Sequence, residues 1–305
     1  MRTYFALIHK IRSWFSQKGD EFLDQPKVQV IIPVYNASKY IKRCFESLIN
    51  QTFTNWEAIV VDDASTDNSR EIMEEFIAQD ERFKFIPLDK NCGASRARNV
   101  ALSKISGKYT AFLDSDDYWE KDMLEVMVGK AEESDFDVVQ CRFIYDFPGG
   151  KQVLPSGAFN KDTELDKSKM EKVYFKMATG INMNHVCMKL IKSEIIKGIQ
   201  FDPELKTAED LKFCVKMFSK VSKYCFIDKA MYHYCRNDES LTGKGLGAKE
   251  KLSANRAVSK VMKAELPVWG KDTLYWRCLC TMRPYLIIVS KIIRTVKEKL
   301  FSKKN

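Results

Sequence analysis

The chain has 305 residues, 45% of them hydrophobic and 30% charged, which suits one large folded domain or a catalytic domain with an appendage and excludes a disordered protein. Its net charge of +9 sits at the two ends: residues 1–18 carry four basic residues and no acid, residues 286–305 six against one, and the span between is neutral. A duplex-binding protein carries its positive charge on the folded body, so nucleic acid is excluded as a partner, and the basic ends fit an anionic surface such as a lipid leaflet.

Residues 1–26 read as an amphipathic basic segment in which Phe5, Ile8, Ile11 and Phe15 share one helical face. Val28 to Val34 is a β-branched run that predicts a buried strand. Ile41, Cys44, Phe45, Leu48 and Ile49 then take the spacing of a helix with one apolar face, with Asn36 or Ser38 placed to cap it. A second strand, Trp56 to Val61, closes on Asp62-Asp63, and a helix over about 69–79 turns Ile72, Met73, Phe76 and Ile77 inward. Phe83 to Leu88 reads as a third strand, 93–105 as a helix of small residues, and Tyr109 to Leu113 as a fourth strand running into Asp114-Ser115-Asp116-Asp117. A helix over about 120–133 and a strand over 137–145 complete a first half, 27–145.

Strands alternating with helices predict an α/β fold with a mostly parallel sheet covered by helices on both faces. Both acidic turns follow strand C-termini, the edge where open α/β sheets bind ligands. Beyond 146 the pattern loosens: a helix opens at Glu209-Asp210, strand-like stretches cover 224–227 and 231–235, and Thr242 to Gly247 reads as a linker to helices over about 248–301. Within that last part, Leu286, Val289, Ile293, Val296 and Leu300 form an apolar stripe flanked by lysines and Arg294. Each amphipathic end suits either a membrane interface or packing on the folded body.

The nine cysteines are odd in number and include no Cys-x-x-Cys pair, which predicts buried structural thiols in a reducing cytoplasm. No secretory signal is evident near the start, and the longest apolar run, around Tyr285 to Val289, falls far short of the ~20 residues needed to span a bilayer.

The carboxylates suggest metal chemistry. Two of them about 6 Å apart repel by roughly 3 kcal/mol at an effective dielectric of 20. A divalent cation turns that repulsion into affinity, and Mg²⁺ completes its shell with water and substrate phosphate oxygens. The same residues also suit a solvated turn, and Glu209-Asp210 also suits the start of a helix as a charge cap. Arg98 fits either a ligand phosphate or a salt bridge to the acidic loops. His185, in an apolar stretch, reads as a core residue.

Four motifs decide among these options: Val30-Ile31-Ile32-Pro33-Val34-Tyr35-Asn36, Val61-Asp62-Asp63-Ala64-Ser65-Thr66-Asp67-Asn68-Ser69, Asn91-Cys92-Gly93-Ala94-Ser95-Arg96-Ala97-Arg98-Asn99 and Phe112-Leu113-Asp114-Ser115-Asp116-Asp117. In that order they resemble glycosyltransferase family 2, and the likeness continues through Ala208-Glu209-Asp210 to Tyr232-His233-Tyr234. The resemblance implies the GT-A fold over 27–240, with a Rossmann-like nucleotide-binding half (27–145) and an acceptor half (146–240), followed by a basic helical extension, 241–305. It implies inverting transfer of a hexosyl or N-acetylhexosaminyl group from a nucleoside diphosphate sugar, usually a UDP-sugar. The acceptor would be a hydroxyl of a saccharide or lipid-linked saccharide in surface polysaccharide synthesis, at the cytoplasmic face of the membrane.

Carried onto this sequence, Pro33 and Tyr35 would line the nucleoside pocket, Asp63 would meet the base N–H, Asp62 would support that loop and Asp114 would lie at the ribose. Arg98 would face the donor, and Asp116 would hold Mn²⁺ or Mg²⁺ on the diphosphate. Asp117, His233 and Arg236 would contact the diphosphate or sugar. Asp210 would be the general base and Glu209 its neighbour at the sugars. Ala64 stands where the family often has glycine. Two other classes share some of these features. A sugar nucleotidyltransferase carries a glycine-rich basic loop after its first strand, which Pro33 to Asn36 lacks, and a non-catalytic nucleotide-sugar-binding protein has no use for a base at Asp210.

Overall fold

The computed structural model describes residues 26–180, 183–236 and 247–286. The first half alternates as expected: β1 (Val28–Val34), α1 (Ile41–Ile49), β2 (Trp56–Asp62), α2 (Ser69–Gln79), β3 (Phe83–Pro87), α3 (Ala94–Leu102), β4 (Tyr109–Phe112), β5 (Tyr118–Trp119), α4 (Met123–Glu133) and β6 (Val138–Asp146). The second half adds β7 (Gln152–Val153), β8 (Thr163–Leu165), α5 (Glu171–Thr179), β9 (Lys189–Lys192), α6 (Ser193–Ile196), α7 (Glu209–Phe218), β10 (Tyr224–Cys235) and α8 (Ala248–Glu265). Residues 274–286 are also helical.

All ten strands form one sheet whose central order is β3-β2-β1-β4-β9-β6-β10-β5. Every residue of β1 is buried, because parallel partners cover both of its edges and helices cover its faces. Burying side chains such as Ile31 and Ile32 contributes about 1.5–3 kcal/mol each. In α1 the buried residues are Ile41, Cys44, Phe45 and Leu48, the stripe that the spacing predicts. In α3, Ala97 and Ala101 are fully buried, and their small side chains let the helix lie close against β1 and β2.

β1 pairs with β2 on one side and β4 on the other, so the chain reverses direction across the sheet between β1 and β4. β6 runs parallel to β10, and both share the direction of β1 to β4. The mostly parallel expectation therefore holds, with one insertion that it did not contain. β9 lies antiparallel between β4 and β6, its start level with the end of β4 and with Gln140 in the first half of β6. His185 sits just before β9 and is exposed, not a core residue. The stretches 224–227 and 231–235 join into β10, whose register against β6 shifts between Phe226 and Tyr232.

The described part of the C-terminal extension packs on the domain. Trp269 stacks on Tyr174 with ring centroids 4.4 Å apart, and its indole N–H donates to Ser219 Oγ at 2.8 Å. Arg283 is fully buried; its Nε donates to Met177 O and one terminal nitrogen to Asn255 Oδ1, joining α5 to α8. Burial pushes its pKa down to about 10. The N-terminal segment, the linker residues 242–246 and all of the apolar stripe except Leu286 lie outside the described residues.

Where the chain leaves the strands at the C-terminal edge, Asn36 (φ +50°) follows β1 and Ala64 (φ +59°) follows β2; Ala208 (φ +65°) precedes α7. Left-handed backbone costs a residue with a Cβ about 1–2 kcal/mol, part of which glycine's greater unfolded-state freedom offsets. Ala64→Gly is therefore expected to raise the unfolding free energy by about 1 kcal/mol. Chemical denaturation would measure this, and an unchanged or lowered midpoint would contradict the strain.

Candidate active site

The adjacent strands β2, β1 and β4 deliver Asp62-Asp63, Tyr35-Asn36 and Asp114 to one edge of the sheet. Asp62 is fully buried. Its Oδ1 accepts from Ser65 N at 3.0 Å and its Oδ2 from Arg70 Nη2 at 2.9 Å, which fixes the turn after β2. The loop after β1 is laced to that turn: Asn36 Oδ1 accepts from Thr66 N at 2.8 Å, and the amides of Asn36, Ala37 and Ser38 donate to Ser65, Ser69 and Asp67. Pro33 is buried within β1, whereas Tyr35 is left largely exposed at the rim.

Asp63 is almost fully buried, and its two oxygens accept from the amides of Cys92 and Gly93, each at 2.7 Å. The carboxylate thereby fastens the 91–93 loop to the sheet. Gly93 adopts φ +87°, a conformation that glycine takes without strain, and its carbonyl accepts the first bonds of α3.

The turn after β4 is held from below and from the side. Asp117 N donates to Asp114 O at 3.0 Å, and the Cys44 thiol lies 3.8 Å from the same oxygen. Asp117 turns inward: Tyr232 Oη donates to its Oδ2 at 2.5 Å, and Cys235 N to its Oδ1 at 2.8 Å. The Tyr232 hydroxyl also accepts from Asp114 N at 3.4 Å, so one hydroxyl joins both ends of the turn to β10. Burial, then the charges of Asp116 and Asp114, hold the Asp117 carboxyl well above the usual range. Asp114 and Asp116 remain partly exposed, and Arg43 donates to the Asp116 carbonyl at 2.9 Å.

Arg98, buried in α3, connects this turn to the start of α7. Its Nη2 donates to Asp114 Oδ1 at 2.7 Å, while Nη1 lies 3.6 Å from Asp210 Oδ1 and 3.9 Å from Glu209 Oε1. Neither Arg98 Nη1 nor Asp210 Oδ1 has a hydrogen bond among the described residues, which leaves a buried donor and acceptor facing each other beyond bonding distance. Asp210 Oδ2 accepts from Val186 N at 3.4 Å, and the Cys187 thiol lies 3.3 Å from Asp114 Oδ2. Burial, followed by the charge of Asp210, pushes the Glu209 carboxyl up to about 7.

Beneath them is a lysine that the sequence reading passed over. Lys189 is fully buried, and its ammonium donates to the His185 carbonyl, ordering the 185–187 segment that serves Asp210 and Asp114. Only its position at the start of an apolar strand run distinguished it from a surface lysine.

His233 is stacked on Tyr118 at 4.1 Å, and its two ring nitrogens lie 2.9 Å from Asp146 Oδ2 and Glu120 Oε1. Both nitrogens are thus engaged within the protein. Arg236 lies at the same sheet edge, its guanidinium 4.8 Å from the Tyr145 ring centre and 5.4 Å from that of Tyr234. Of the cysteines, seven are buried, one is half-buried and Cys278 is exposed, all with free thiols.

A divalent cation fits this turn. Asp114 and Asp116 stay partly exposed and offer carboxylate oxygens two residues apart, whereas Asp117, held up first by burial and then by those two charges, is turned inward. Among the described residues no three His, Cys, Asp or Glu side chains form a cage of their own, so phosphate oxygens and water would complete a shell begun at Asp116.

Comparison with known proteins gives a consistent result. The family model described as glycosyl transferase family 2 matches residues 29–199. Glycosyltransferase GlyG of Streptococcus pneumoniae serotype 4 is 29% identical over 219 residues, covering 70% of this chain and 72% of GlyG. The minor teichoic acid biosynthesis protein GgaB of Bacillus subtilis strain 168 is 31% identical over 209 residues; the match takes in 67% of this chain but only 22% of GgaB. The crystal structure of S. aureus TarS 1-349 in complex with UDP-GlcNAc superposes with a TM-score of 0.66 at 25% identity, covering 81% of this chain and 71% of that one. The architecture is accordingly the GT-A fold.

The double role of the Tyr232 hydroxyl can be tested directly. Tyr232→Phe leaves the Asp117 carboxyl buried with one donor fewer and is expected to lower stability by about 1–3 kcal/mol. Urea unfolding measures the loss, and a variant as stable as the parent would show that the hydroxyl does not hold the turn.

Proposed function

The chain belongs to glycosyltransferase family 2, and on that premise we propose that it transfers a sugar with inversion from a UDP-sugar to a hydroxyl of a saccharide or lipid-linked saccharide in surface polysaccharide synthesis. The observation that carries this reading is the Arg98 bridge, which sets the Asp114 turn and the Glu209-Asp210 pair a side chain apart, a donor-binding element facing a base. The UDP-GlcNAc held by TarS and the teichoic acid role in the name of GgaB support a nucleotide-sugar donor and a polymer acceptor.

In this mechanism Tyr35, exposed at the rim beside Pro33, covers the base, and Asp63 meets its N–H with a second lone pair. Asp62 keeps the loop in place, and Asp114 takes the ribose hydroxyls. A divalent ion at Asp116, when bound, neutralises the charge that develops on the departing diphosphate. Asp210 accepts the proton of the acceptor hydroxyl as that oxygen bonds to the anomeric carbon. The bond from that carbon to the phosphate oxygen breaks on the opposite side, and UDP leaves with the electron pair. Arg98 holds Asp114 and Asp210 at a fixed separation throughout, and Glu209 orients the sugars. Asp117 and His233, engaged within the protein, shape the walls of the diphosphate site, and Arg236 adds a cation at its rim.

Calorimetric titration with UDP and Mn²⁺ is expected to show metal-dependent binding that Asp116→Ala loses; parental affinity in the variant would sink the metal assignment. Asp210→Asn is expected to keep that binding while slowing the release of UDP from UDP-GlcNAc by about 10²–10⁴-fold. The acidic pair also predicts a pH profile. With the Glu209 carboxyl at about 7, its ionisation places a negative charge beside the site of proton transfer, so the rate should climb as pH rises through about 7. Glu209→Gln should remove that inflection, and an unaltered profile would place it elsewhere.

A further inference from the structure

The helix at 274–286 has two apolar sides. One is buried: Trp276 and Cys280 enter the core, and Arg283 reaches Met177 O. On the other, Tyr275, Cys278, Met282 and Tyr285 follow i, i+3, i+7 and i+10 spacing, the pattern of one helical face. All four are exposed, Tyr275 by 61%, Met282 by 55% and Tyr285 by 50%. Leu274, exposed by 78%, is the first residue of the helix, and Val268, exposed by 65%, lies in the turn before it. Five of the eleven exposed large hydrophobic side chains among the described residues thus fall within 268–285, too many for random scatter.

The charge of the surrounding segment identifies what covers this face. The described residues 247–286 hold eight Lys and Arg against three Asp and Glu, a net +5. One of these cations sits at the face itself, where Arg256 Nη2 donates to Tyr285 Oη at 3.2 Å. A second copy of this chain would bring like charge against like, and a duplex would leave the apolar row unused. An anionic bilayer satisfies both features, because acyl chains accept the apolar side chains and headgroups attract lysines at about 1 kcal/mol each. No described helix is long and apolar enough to cross a membrane, so the helix would lie in the interfacial plane.

We propose that Tyr275, Met282 and Tyr285, with Leu274 and Val268, form a docking face that seats the enzyme on an anionic lipid leaflet. This inference rests on the membrane-acceptor half of the proposed function and is independent of its donor chemistry. It places the 274–286 helix, which Arg283 ties to α5 and α8, between the catalytic domain and the bilayer.

Flotation of the full chain with phosphatidylcholine vesicles containing on the order of 30% phosphatidylglycerol tests it. The parent should float with these vesicles and not with pure phosphatidylcholine. The variant Tyr275→Ser/Met282→Ser/Tyr285→Ser should bind about tenfold or more weakly. Because these side chains are exposed and the one hydrogen bond lost, Arg256 Nη2 to Tyr285 Oη, lies at the surface, its thermal midpoint should fall little and its rate of UDP-GlcNAc hydrolysis in solution should match the parent's. Equal flotation of variant and parent, or equal binding to neutral vesicles, would overturn the proposal. So would a dimeric parent that the same substitutions render monomeric, which would make the face a subunit interface. Vesicle binding by a parent that fails to hydrolyse UDP-GlcNAc would leave the docking face standing and remove only the donor reading.

Discussion

A guanidinium sunk beneath the sheet edge, that of Arg98, is the interaction on which the site depends. A buried charge without an opposite costs several kcal/mol, and here Asp114 meets it at 2.7 Å while Asp210 and Glu209 stand at 3.6 and 3.9 Å. One cation therefore holds three carboxylates from two distant segments of the chain. It also leaves Nη1 without a hydrogen bond among the described residues, so the site is electrostatically compensated but not closed. That residual mismatch suits a cleft that receives a charged substrate, because stabilising groups already in place need no reorganisation when charge develops.

The scaffold around Arg98 explains why the carboxylates keep different characters within a few residues. Asp62, Asp63 and Asp117 face inward and are consumed by amides, a guanidinium and a hydroxyl, whereas Asp114 and Asp116 keep part of their surface open. Strand ends fix the first positions and the surrounding loops fix the second. The left-handed residues Asn36, Ala64 and Ala208 lie on these loops, where strained backbone is retained to aim side chains. β9, antiparallel between two strands that run the other way, brings Val186 and Cys187 to the same edge, against Asp210 and Asp114.

The extension has a comparable division of labour. Arg283, Trp269 and Trp276 belong to the folded body, while the opposite side of the same helix offers aromatic and aliphatic side chains to the surroundings. Packing and docking, which the sequence presents as alternatives for such segments, are compatible here because they use opposite sides of one helix. Lys189 is a second case in which burial changes meaning, since a lysine in a run of apolar residues becomes an internal clamp on the His185 carbonyl.

Local periodicity and turn chemistry were legible in the sequence. The bounds of β1 and α2, the apolar face of α1, the acidic strand ends and the motif order all depend on neighbouring residues, and neighbouring residues are what a sequence displays. Tertiary contacts decided what depends on distant ones. The stretch after His185 is strand-like in the sequence, but its antiparallel insertion depends on pairing with β4 and β6, about eighty and fifty residues away, which no local pattern displays. The same holds for His233, which motif order placed near the diphosphate and folding seats between Asp146 and Glu120. For Asp114 to Asp117 the sequence determined that three carboxylates follow a buried strand. Only folding decided which of them turn outward, because Tyr232 and Cys235, more than a hundred residues later, are what draw Asp117 inside.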